Sequence, residues 1–201
     1  MAHLRKPLAV AFGLNALVLA VETAGGVRAN SLSLVMDAVH NLSDQIALGF
    51  LLLAYTLRTG LSGRFLWVAN WLNSIGLLAM SGLLLRQALE RMVHPQPVLG
   101  PVPLIVGLLA ALGNWGVARA LRKPSQNQPS IRLAYTHNLG DALLSLAPAG
   151  AGLCIVVFRR SLFDPLVAFA IGMVILIHTL RTLIDSPREL LWPENVVCGP
   201  D

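Results

Sequence analysis

Apolar residues run along this chain in blocks of about 20, the length a helix needs to cross a bilayer. The blocks fall at Pro7–Gly26, Ser31–Leu57, Leu66–Leu85, Val102–Ala118, Ile131–Phe158 and Pro165–Ile184. They lack the strict alternation that a membrane barrel imposes on its strands. The pattern predicts an all-α, polytopic membrane protein with six transmembrane helices. Its connections are short, so the expected organisation is one six-helix domain over residues 1–188 and a short tail over residues 189–201. The first block follows "LRKP" as a secretory signal would, but it runs past a typical signal core and contains Asn15 and Glu22. It is therefore expected to be retained as a helix.

Polar interruptions of these blocks carry the chemistry. "HNLSD" occupies residues 40–44 and "HNLGD" residues 137–141, each well inside an apolar run. On a helix, residues four apart share a face, so His40 points with Asp44 and His137 with Asp141. An Asp at mid-membrane costs roughly 2.5–3.5 kcal/mol on insertion scales, and two of them need compensation. Two imidazole nitrogens and two carboxylate oxygens from facing helices form a four-coordinate set with a charge of −2. A divalent ion cancels that charge, and Zn2+ prefers tetrahedral N and O ligands. The four residues are thus expected to share one metal site. One copy alone would read as an interhelical hydrogen bond; two matched copies favour the cage. Co2+ and Cd2+ are the closest competitors, since Mg2+ and Mn2+ prefer more oxygens.

Composition agrees with the membrane reading. The 201 residues are 55% hydrophobic and 12% charged, with mean hydropathy +0.67. A soluble domain carries about 25% charged residues, so too little polar surface exists here to coat a globule. With the N-terminus in the cytoplasm, the inner side would hold Arg5, Lys6, Arg58, Arg64, Arg119, Arg122, Lys123, Arg132, Arg181 and Arg188. The outer side would hold Arg28, Arg86, Arg91, Arg159 and Arg160. Ten against five places both termini inside. The net charge of +5 then reports topology and lipid contact, and no nucleic-acid partner is expected.

At these residues the chain resembles a known family. "AFGLNALVLAVETAGGVRANSLSLVMDAVHNLSD" resembles the first two helices of the cation diffusion facilitators of the zinc type, which carry HxxxD on helices two and five. "ERMVHPQPVLG" resembles the family's connection between helices three and four, "AYTHNLGDALLS" its fifth helix and "DPLVAFAIGMVILIHTLRTLIDS" its sixth. The resemblance implies a multi-pass protein of the cell membrane that exports Zn2+, with Co2+ or Cd2+ as alternatives, in exchange for protons. It implies no enzymatic activity and allows a homodimer. Relatives usually continue into a cytoplasmic metal-binding domain, for which "SPRELLWPENVVCGPD" is too short, and many carry a His-rich loop where this chain has "RKPSQNQPS". Chemistry supports proton exchange independently, because coordination requires deprotonated ligands and an emptied cage takes protons up.

A membrane-embedded zinc hydrolase is the alternative. It would need an open coordination position and a nucleophile, for which Ser145 is the candidate; neither HExxH nor a His triad is present. A purely structural metal site is a third reading. Asp37 fits two places equally, an outer vestibule or the outer water layer. Glu22, Asn15 and Asn114 are expected in interhelical hydrogen bonds and Asn70 and Asn73 in an interhelical contact, while Trp67 and Trp71 suit an interfacial belt. Asn41 and Asn138 diverge from the cage by ~100° and suit helix packing or support of the ligand side chains. Pro148 is expected to put a fixed bend in the fifth span, with a moving hinge as the alternative. His178 is expected to pair with Arg181 at the inner interface, with a second metal site as the lesser alternative. Cys154 and Cys198 imply no disulfide.

Overall fold

The computed structural model describes residues 2–56, 63–127 and 129–185. Their regular structure is helical throughout. The elements are α1 (Ala2–Ala29), α2 (Leu32–Thr56), α3 (Gly63–Val93), α4 (Pro101–Leu121), a 3-10 turn at Pro124–Gln126, α5 (Pro129–Leu144), α6 (Leu146–Phe158) and α7 (Phe163–Asp185). Helices α5 and α6 lie within the single predicted span Ile131–Phe158, so the described helices make the six expected rods. The tail at residues 189–201, with Cys198, lies outside the described residues, as do the side chains of Trp67 and Asn70.

Five rods are long and apolar enough to cross a membrane: Leu4–Ala29, Trp71–Val93, Pro101–Leu121, Ile131–Phe158 and Phe163–Arg181. Helix α2 falls short of that criterion because its middle carries Asp37, His40, Asn41, Ser43, Asp44 and Gln45. Its polar residues are sheltered by other helices. Asp37 and Asn41 are fully buried, whereas apolar Leu17, Leu133 and Leu143 are 61%, 73% and 70% exposed. Apolar side chains outside and polar ones inside is the arrangement a lipid solvent selects.

Two apolar clusters anchor α2. Leu48 and Leu51 pack with Leu4, Leu8, Val117 and Leu121 of α1 and α4. Leu32 and Met36 pack with Leu84 and Leu85 of α3 and with Ala168, Ile171 and Ile175 of α7. His40 and Asp44 fall between these anchor points along the helix. Helix α1 packs chiefly on α2 and α4, and α3 chiefly on α7, so the bundle divides into a larger group and a pair. Within the larger group α4 and α6 approach closely. A Cβ at Gly107 would lie 2.7 Å from the Ala149 backbone nitrogen, and one at Gly152 2.7 Å from the Gly100 carbonyl oxygen. Small residues at such crossings replace the missing hydrophobic drive between helices in lipid.

Two boundaries differ from the sequence expectation. Helix α3 runs on to Val93, past the end of the apolar block, and carries an exposed Arg86–Glu90 i,i+4 ion pair at 3.0 Å in that extension. It stops at the start of "HPQP", where proline ends helical pairing. The fifth rod breaks at Ser145 (φ −65°, ψ −13°), three residues before Pro148. Pro148 has no N–H to offer the Leu144 carbonyl, so the irregular residue falls just after Leu144.

Candidate metal centre

Polar contacts with α1 fix the rotation of α2. Asn15 Nδ2 donates to the Asn41 carbonyl at 3.1 Å and to Gln45 Oε1 at 2.9 Å. Asn41 Nδ2 in turn donates to Glu22 Oε2 at 2.7 Å. These bonds hold Asn41 against α1 and leave His40 and Asp44 turned towards α5. On the other side, Asn73 Nδ2 of α3 donates to Ser43 Oγ at 2.8 Å. Helix α5 is registered by α4, where Asn114 Nδ2 donates to Ser145 Oγ at 3.1 Å, one turn beyond Asp141.

The four residues singled out by the HxxxD repeats meet. Their ligating atoms all lie within 4.8 Å of one another. The pairing is crosswise: His40 Nε2 is 3.1 Å from Asp141 Oδ1, and His137 Nε2 is 2.8 Å from Asp44 Oδ1. The same-helix pairs are longer, with His40 Nε2 and His137 Nε2 each 3.8 Å from the second oxygen of Asp44 and Asp141 respectively. Ligands around a tetrahedral ion at 2.0–2.2 Å stand roughly 3.3–3.6 Å apart, which is the middle of this range. Among the described residues, Asp44 Oδ2, Asp141 Oδ2 and His40 Nδ1 are buried without a hydrogen-bond partner. Two orphaned carboxylate oxygens facing imidazole nitrogens form a donor set suited to a borderline divalent cation.

Access to this cluster is one-sided. The side chains of His40, Asp44 and Asp141 are 11%, 8% and 6% exposed, whereas that of His137 is 38% exposed. A cavity of about 360 Å³ reaches the cluster between the larger helix group and the α3–α7 pair. Its wall includes all four candidate ligands, together with Ser43, Ser74, His178 and Thr179. Its lining on α7 comes from the C-terminal half of that helix, at Val174, Ile175, His178 and Thr179. Arg5 Nη2, which donates to the Thr56 carbonyl at 3.4 Å, marks the same end of the bundle by joining the start of α1 to the end of α2.

Other residues fall less uniformly. Glu22, Asn15 and Asn114 make the interhelical bonds expected of them, and Asn73 does so as well. Asn41 serves packing, while Asn138 Nδ2 donates to its own helix at the Ala134 carbonyl, 2.9 Å away. Asp37 is fully buried beside Glu22, which corrects its reading as a group solvated by outer water. Ser145 is fully buried and accepts from Asn114, so its hydroxyl is not presented to a substrate as the hydrolase reading requires. His178 lines the cavity, whereas its spacing to Arg181 in the sequence favoured an interfacial pair over a second metal site. Asp164 was missed from sequence; its short bonds to the start of α2 span more than 130 residues, and no local pattern signals them.

Comparison with known proteins gives a consistent answer. A family model described as the cation efflux transmembrane domain matches residues 8–191. The zinc transporter ZitB of Escherichia coli is 32% identical over 196 residues, covering 92% of this chain and 62% of its own length. A cadmium, cobalt and zinc/H(+)-K(+) antiporter of Bacillus subtilis is 29% identical over 204 residues, covering 96% of this chain and 66% of its own. The metal cation efflux system protein CzcD of Cupriavidus metallidurans is 27% identical over 194 residues, covering 92% and 61%. The chain thus spans under two thirds of the length of these relatives.

Proposed function

Since the chain belongs to the cation efflux transmembrane family, we propose that it exports a divalent metal ion, chiefly Zn2+, in exchange for protons, with His40, Asp44, His137 and Asp141 as the ion's ligands. The observation that carries this reading is the convergence of four ligating atoms from two helices within 4.8 Å. Named relatives that carry zinc, cadmium and cobalt support the choice of ion. Protein atoms supply all four ligands, which leaves no coordination position for an activated water and favours carriage over hydrolysis.

Facing the cytoplasm, neutral imidazoles and ionised carboxylates take the ion from the cavity. Facing outward, protons compete for the same atoms and the ion departs. The returning carrier holds protons in place of the metal, so charge in the low-dielectric interior is balanced on both strokes. Movement of the α3–α7 pair against the larger group is the rearrangement that exposes the site alternately. Residues 1–188 make up this transport unit within a bilayer.

The test is reconstitution of the purified chain into vesicles enclosing a zinc-sensitive dye, under an imposed pH gradient. Zinc flux that follows the gradient is expected, together with its loss in Asp141→Ala. Undiminished flux in that variant would end the assignment.

A further inference from the structure

The cavity beside the cage carries a fifth metal-binding side chain that the four-ligand reading does not use. His178 lies on α7, in the helix pair that faces the larger group, and its residue lines the same wall as His40, Asp44, His137 and Asp141. Thr179, next to it, and Ser43 and Ser74 across the cavity add neutral oxygens to that wall. Beyond these groups the lining is apolar, at Leu77, Leu144, Val174 and Ile175.

An ion arriving from water is fully hydrated, whereas the cage binds it stripped of water by four protein atoms. A passage lined only by apolar side chains would make it shed that water without replacement, which in a low-dielectric wall is costly. A single imidazole with neighbouring hydroxyls replaces part of the hydration shell. It binds an imidazole-preferring ion weakly enough to release it inward to the four-ligand site. Its placement on the opposite helix group means that the same movement that closes the cavity draws His178 and the cage ligands together or apart.

We propose that His178 is a capture ligand for the incoming ion: a transient site for a partly hydrated divalent cation of the zinc, cobalt and cadmium class, one step before the cage. This rests on the transport reading above and adds a residue to it. A capture ligand changes how readily the ion reaches the cage. It does not change how tightly the cage holds the ion or how fast a loaded carrier turns over.

The experiment is zinc flux into dye-loaded vesicles across a range of zinc concentrations, for the full chain and for His178→Ala, His178→Gln and His178→Asp. A chelator-competition measurement of zinc affinity in detergent accompanies each. For His178→Ala and His178→Gln the expected result is a KM raised about 5- to 10-fold with the maximal rate within about 2-fold of wild type, and an unchanged zinc affinity. His178→Asp, which restores a metal-binding side chain, should recover most of the KM. An unchanged KM in His178→Ala overturns the proposal. So does an equal rise in the Asp and Ala variants, which would point to packing, or a fall in maximal rate together with zinc affinity, which would make His178 a structural support of the cage. His40→Ala is run alongside: normal flux in that variant would instead overturn the transport site itself, independently of His178.

Discussion

Asp164 Oδ1 accepts from Ser31 Oγ at 2.6 Å, tying the first turn of α7 to the residue just before α2. The same carboxylate accepts from Ser33 Oγ at 2.6 Å and from the backbone N–H groups of Leu32 at 2.6 Å and Ser33 at 3.3 Å. A fully buried anion thus satisfies N–H groups that the start of α2 leaves unpaired, and its charge suits that end of the helix dipole. Asp164 lies in the first turn of α7 as well, so it answers the dipoles of two parallel helices at one end of the bundle. This end is pinned, while the opposite end holds the cavity.

Removing the carboxylate should therefore destabilise the bundle more than a surface change would. Hydrogen bonds to a charged group contribute about 1.5–3 kcal/mol each, and stranded buried donors add a penalty. Asp164→Ala is expected to lower stability by at least about 3 kcal/mol, and Asp164→Asn by less, because the amide oxygen can still accept. Thermal unfolding in detergent, followed by circular dichroism, measures both. A melting temperature unchanged in Asp164→Ala would remove the clasp from the account.

The crosswise pairs in the cage lead to a second expectation. A ligand that binds only the folded state stabilises it by about 2.7 kcal/mol at a concentration 100 times its Kd. Zinc should raise the melting temperature of the wild-type chain. It should not do so for Asp44→Asn or Asp141→Asn, each of which removes an anionic ligand. The amide replacements keep the shape of the side chain and hydrogen-bonding capacity towards His137 and His40, so without metal these variants should melt close to wild type. Zinc stabilisation that survives both substitutions would place the ion elsewhere.

Proton competition has a definite sign. As proposed ligands, His40, Asp44, His137 and Asp141 would coordinate only when deprotonated, so binding should release protons and zinc affinity should fall as pH falls. Near neutral pH, titration calorimetry in buffers of differing ionisation enthalpy should show an observed heat that varies linearly with buffer enthalpy, its slope giving the protons released. Transport from the metal-loaded side should slow as that side is acidified and quicken as the opposite side is acidified. A heat independent of buffer would exclude proton exchange at this site.

Much of this arrangement is legible in the sequence, within limits set by what spacing can encode. Six apolar blocks give the rods, and the HxxxD repeats place His40 with Asp44 and His137 with Asp141, because helical periodicity is local information. The crosswise preference, with His40 nearer Asp141 and His137 nearer Asp44, depends on how α2 and α5 face each other, and no spacing within either helix determines it. Asp164 reads locally as an acidic residue opening a helix; its partners at Ser31, Leu32 and Ser33 are set by tertiary packing. His178 sits three residues from Arg181, so a local reading pairs the two, while its position on the cavity wall follows from how α7 docks. The break at Ser145 shows the same limit: Pro148 announces an irregularity, and its exact residue follows from which carbonyl loses its partner.

Selectivity should depend on the nitrogen count of the cage. Two nitrogens and two oxygens in a small tetrahedral shell suit Zn2+, whereas larger Cd2+ tolerates higher coordination numbers and longer bonds. His40→Asp exchanges a rigid, single-atom imidazole donor for a carboxylate that can bind through one oxygen or two. The side chain is also shorter, which widens the cage on the α2 side, opposite Asp141. The loss of a nitrogen weakens zinc binding, while bidentate capacity compensates most for the larger ion. The variant is thus expected to raise the cadmium-to-zinc ratio of transport rates by about tenfold, equivalent to roughly 1.4 kcal/mol of differential transition-state binding. Paired uptake measurements of the two ions in the same vesicles read that ratio directly. A fall in both rates with the ratio unchanged would mean that His40 contributes to folding of the site and not to the choice of ion.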